Sequence, residues 1–122
     1  MTPDDAMRRI DALLSHVWVV RTFVKHSEEA EDDEELMEIV RTLYDYSLSL
    51  GPAWNAQDAA EYLKLAHKKF VKLRQATAEF ARVQPEVSVH TNYKMAVTSL
   101  ETAVDDIGRV LDSQRGESAA KE

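Results

Sequence analysis

Residues 59–80 read AAEYLKLAHKKFVKLRQATAEF. Ala59, Leu63, Ala66, Phe70, Leu73, Thr77 and Phe80 fall alternately four and three apart. This is the seven-residue repeat of a helix with one apolar seam. A strand would alternate at every second residue, and no stretch of the chain does so for long. One seam cannot be buried alone, so the segment requires other helices around it. Asn55 is expected to open this helix, with Asp58 in its first turn and Trp54 ahead as a staple. Pro85 is expected to close it.

The same spacing recurs on both sides. Downstream, a helix from about Ser88 carries Val89, Tyr93, Ala96, Leu100, Ala103, Ile107 and Val110, flanked by Val97, Val104 and Leu111. Upstream, Leu36, Ile39, Val40, Leu43 and Leu50 share a stripe, with Met37, Tyr44 and Leu48 beside it. Asp32 and Glu35 suggest a cap for that helix, and Gly51-Pro52 a stop. The first helix has Thr2 as cap, Pro3 at its first position and Asp5 at its third. Its stripe is Met7, Ile10, Leu14, Val17 and Val24, widened by Ala6, Leu13 and Val20, and it is expected to end near Lys25 or His26. Four amphipathic helices with short connections predict an all-α, up-down-up-down antiparallel four-helix bundle. The expected domain spans residues 1–112, with 113–122 a flexible polar tail.

Composition narrows the function. The chain has 122 residues and no cysteine, which excludes disulfide frameworks and thiolate chemistry. No apolar run approaches a membrane span, and the acidic N-terminus does not resemble a signal peptide. A cytoplasmic protein with no cofactor is expected. The net charge of −7 is uneven. Acids concentrate at Glu28, Glu29, Glu31, Asp32, Asp33, Glu34 and Glu35. Lys64, Lys68 and Lys72 share one helical face at four-residue spacing. The plain reading of such patches is a solvated face; the sharper one is a contact with a protein partner or a second copy, which they fit better than nucleic acid because few aromatics interleave with the lysines.

Chemistry-bearing residues are sparse. The histidines are His16, His26, His67 and His90, and no Glu-x-x-His pair occurs among them, so a two-metal bundle site is not expected. His67 borders the core and should find a hydrogen-bond partner. Ser47 and Thr77 lie on core stripes, where their hydroxyls should bond back to helix carbonyls. A bundle binding a small ligand or metal remains a second functional reading. Arg21 falls on the core stripe of the first helix and should either snorkel or pair with an acid such as Asp45 or Asp105. Arg21-Thr-Phe-Val-Lys-His26 resembles the Arg-x4–6-His element of the HEPN ribonucleases over six residues. That resemblance implies a third reading, in which Arg21 polarises a phosphate and His26 does acid–base chemistry on RNA.

Val17, Trp18, Val19, Val20, Phe23 and Val24 surround almost the whole first helix. Apolar residues all round mean burial on more than one side. Trp18, Val19 and Phe23 exceed what one bundle face needs, so they predict a surface for a homo-oligomer or a protein partner. A more central position of the first helix would be the plainer explanation. The leading expectation is a non-enzymatic interaction module.

Overall fold

The computed structural model describes residues 1–121, and side chains through Gly116. All regular structure among the described residues is helical: α1 (Pro3–Lys25), α2 (Glu34–Ser49), α3 (Gly51–Asn55), α4 (Ala59–Val87) and α5 (Thr91–Lys121), with a 3-10 turn at Glu28–Ala30. The four long helices pack together. α1 touches α2, α4 and α5, and α4 touches α1, α2 and α5. One core cluster joins all four long helices, with Met7 and Ile10 of α1, Leu43 of α2, Leu73 and Phe80 of α4, and Leu100 and Ile107 of α5 among its members.

Caps set the helix starts. Thr2 and Asp5 form a reciprocal capping box on α1, as the sequence suggests. For α2 the cap is Asp33, one residue after the expected Asp32, and its side chain accepts from the Leu36 amide at 3.0 Å. Gly51-Pro52 does not simply stop the chain. Proline suits a first turn, where its missing N–H would go unpaired, so Gly51–Asn55 forms the short α3. Asn55 therefore ends a helix instead of opening one. Gln57 turns the chain at φ 52, and Asp58 caps α4 through the Glu61 amide at 3.1 Å.

The far end of α4 also departs from expectation. Pro85 lies inside the helix, which continues to Val87. One turn from the end, its ring forfeits a single helical hydrogen bond. The buried Gln84 secures the turn by donating from Nε2 to the Ser88 carbonyl at 2.7 Å. α5 then begins at Thr91, three residues later than expected. Before it, the Ser88 hydroxyl accepts from the His90 amide, and the His90 ring nitrogen Nδ1 accepts from the Asn92 amide at 3.0 Å. α5 passes Asp112 without a break, so residues 113–116 of the expected tail extend the helix. The side chains of 117–121 and all of Glu122 lie outside the described residues.

The α4 seam is broader than a single repeat. Ala66, Leu73, Thr77 and Phe80 are buried, but so are Tyr62, Ala76, Val83 and Gln84, whereas Ala59, Leu63 and Phe70 are only partly covered. A helix with three neighbours buries both flanks of its stripe. Tyr62 is fully buried and donates to Asp11 Oδ1 on α1 at 3.1 Å; Tyr46 on α2 donates to the Ala66 carbonyl at 2.9 Å. Thr77 bonds back to the Leu73 carbonyl, as expected for a buried hydroxyl. Ser47 does not: its buried Oγ has no partner.

Candidate interaction surface

α1 buries eight residues, and every one lies on the expected stripe or its flanks. The surplus apolar residues of α1 then separate. Phe23 turns toward α5 and meets the Tyr93 ring edge-on, with centroids 5.0 Å apart. The Tyr93 hydroxyl in turn reaches Ser27 Oγ, so this contact ties the end of α1 to α5. Trp18 remains 46 % exposed and Val19 64 %. The fold thus keeps Trp18 and Val19 adjacent at the surface and draws Phe23 into a packing contact.

Trp18 leans on Tyr44 of α2, with ring centroids 6.0 Å apart and planes tilted by 37°. The Arg21 guanidinium sits 4.5 Å from the Trp18 ring and 4.9 Å from the Tyr44 ring. Its positive charge faces two electron-rich ring faces, an attraction worth about 0.5–2 kcal/mol per contact depending on solvation. The acid partner expected for Arg21 is not found: among the described residues no carboxylate pairs with it, neither Asp45 nor Asp105. Rings take the place of the acid. The substitution is incomplete, because Arg21 Nε is buried without a hydrogen-bond acceptor and Nη1 has only a 3.4 Å approach to the Thr22 hydroxyl. Nothing in the sequence singles out Tyr44 beyond its place beside the α2 stripe.

Arg21 and His26 do not form a joint constellation. Five residues along a helix turn them about 140° apart. Arg21 is held by the two rings, while His26 is the exposed C-cap of α1. His16 Nδ1 lies 3.1 Å from Ser99 Oγ on α5. His67, expected to have a partner, is exposed and has none among the described residues. It lines a cleft of about 510 Å³ between α4 and α5 with Phe70, Arg74 and Gly108. Among the described residues no group of three or more His, Asp or Glu side chains could hold a metal ion. No described helix is long and apolar enough to cross a membrane.

The charged patches are partly used within the chain. Arg82 on α4 pairs with Glu35 of α2 at 2.5 Å and also with Glu79. The Arg82 guanidinium holds the Glu79 carboxyl down to about 2, whereas the hydrogen bond that Glu35 donates to Glu79 pushes Glu35 upward. Lys68 and Lys72, with Lys69, line a cleft of about 590 Å³ opposite Glu38 and Asp45 of α2. The lysine face therefore already looks onto carboxylates of its own chain. Lys64 is exposed. Glu28, Glu29, Glu31, Asp32 and Glu34 remain at the surface.

No protein-family model, curated protein or solved structure matches this chain. Any functional reading rests on its own residues.

Proposed function

We propose that the chain is an up-down-up-down antiparallel four-helix bundle acting as a non-enzymatic interaction module that self-associates through the outward side of α1. Three α1–α5 pairs support the topology: Arg9 with Asp106, His16 with Ser99, and Ser27 with Tyr93. Partner numbers fall as α1 numbers rise, which is the order of antiparallel neighbours. The α2–α4 pairs, Glu35 with Arg82 and Tyr46 with Ala66, have the same order.

One observation carries the functional reading. A half-exposed tryptophan and an exposed valine stand together on a helix that buries eight other apolar residues. Tryptophan and arginine are the side chains that most often anchor interfaces. Arg21 sets its guanidinium against the Trp18 ring. Size-exclusion chromatography with light scattering is the test. Self-association at about 100 µM that is lost in Trp18→Ser, with the helical spectrum retained, is the expected result. Trp18 is not core, so this substitution should cost only about 1 kcal/mol of stability, from the lost ring and cation contacts. A strict monomer at that concentration overturns the reading.

A further inference from the structure

The outward line of α1 has its own seven-residue spacing: Arg8, Ala12, Ser15, Val19, Thr22 and His26 fall four, three, four, three and four apart. All are exposed except Thr22, which is half-buried. Between Asp11 and Arg21 there is no Asp, Glu, Lys or Arg for nine residues. An exposed helix face normally carries charge, and this one carries it only at its ends. Those ends differ in sign. Arg8 lies about 15 Å to one side of Trp18 by helical rise, and Glu28 is exposed in the 3-10 turn that follows the other end of α1.

We propose that a second copy of this chain covers this face, its α1 running antiparallel to the first about a two-fold axis near Trp18. The proposal rests on the self-association reading and adds orientation and register to it. A two-fold contact is self-complementary, so every residue meets its counterpart on the opposite side of the axis. With the helices antiparallel, Arg8 of each copy faces Glu28 of the other, and the two charge-free middles meet at Trp18 and Val19. With the helices parallel, Arg8 would face Arg8, and the acidic run from Glu28 to Glu35 would face itself. Like charges opposed in this way disfavour that arrangement and select the first. Ala12 and Ser15 are small enough to let the helices approach closely. A shallow crossing near 20° keeps the long Arg8 and Glu28 side chains within reach of each other. One helix face is smaller than the roughly 800 Å² per partner of a standard stable interface, so the dimer belongs to the transient class.

Sedimentation equilibrium on the full chain tests this with three variants. Arg8→Glu and Glu28→Arg should each weaken association by about tenfold, since each dimer contains the contact twice, and raising salt should weaken the unmodified chain in the same direction. The double variant Arg8→Glu/Glu28→Arg should restore association to within about twofold, because it reverses both charges and re-forms the pairs. All three residues changed, with Val19→Lys as the fourth measurement, are exposed, so an unchanged thermal midpoint confirms a folded chain. If neither single reversal matters but Val19→Lys abolishes association, the antiparallel register is overturned while self-association through this face stands. If Val19→Lys has no effect, or if the chain is monomeric throughout, both the register and the underlying reading fall, and a monomer leaves the face to a different protein.

Discussion

Two buried polar atoms mark where side-chain chemistry and packing disagree. Ser47 Oγ and Arg21 Nε lack partners. A buried hydroxyl without a hydrogen bond costs about 1–3 kcal/mol, and serine is a poorer helix former than alanine. Ser47→Ala should therefore stabilise the protein by about 1 kcal/mol, read as a rise in the denaturation midpoint; a loss of stability would mean that the hydroxyl is satisfied. Asp11 is the opposite case, a polar atom with a partner but in a costly place. Burial raises its carboxyl above the usual value of 3.8, only partly offset by the hydrogen bond from Tyr62. The folded chain thus holds this proton more tightly than the unfolded one. Its favourable contribution is present at low pH and is lost as pH rises through the raised value. Asp11→Asn, which keeps an acceptor for Tyr62, should gain on the unmodified chain as pH rises from 3.8 toward neutrality. Tyr62→Phe should lose about 1 kcal/mol at neutral pH, because it leaves the carboxylate without its donor.

At the scale of elements, α2 and α4 are joined by Tyr46 in the interior and by Glu35, Glu79 and Arg82 at the surface. Burial pushes the Tyr46 hydroxyl well above its ordinary range, so it remains a donor to the Ala66 carbonyl at any physiological pH. The surface group behaves differently. Glu79 is held at about 2 against an ordinary 4.5, so its contribution is fully present above 4.5 and disappears as pH falls through 2. Arg82→Gln removes the cause. The difference in thermal midpoint between the two proteins should be flat near neutrality, shrink first as pH falls through the raised Glu35 value and further as it falls toward 2, and diminish in high salt. A difference independent of pH would exclude the ion pair as its source. The same elements show what was legible in the sequence. The stripes of α1, α2 and α5 emerge buried, because a period near 3.6 permits one core-facing side; the exception is Val89, which precedes α5 and is exposed. The connections were less legible. Gly51-Pro52 and Pro85 punctuate the sequence strongly, yet proline's effect depends on its distance from a helix end, and packing sets that distance.

For the whole molecule, the balance of charge matters less than its placement. The acids before α2 and the lysines of α4 suggested complementary patches between protomers. In the fold, Arg82 takes up Glu35, and the lysines look across a cleft at Glu38 and Asp45. Lys68 and Lys72 are thus poorer candidates for a contact between copies than the outward face of α1. The apolar surplus of α1 was visible as composition, but its division was not. Phe23 and Trp18 are five residues apart and equally apolar, yet one packs on Tyr93 while the other stays half in water.

The sequence by itself determined the helical class, the buried stripes and the start of α1, because local periodicity and capping depend on residues within one or two turns. Only the tertiary structure decided which surplus residues reach the surface, what holds Arg21 and where the acids are spent. Those outcomes depend on which helices become neighbours: Trp18 and Tyr44 are 26 positions apart, and no local pattern encodes that they meet.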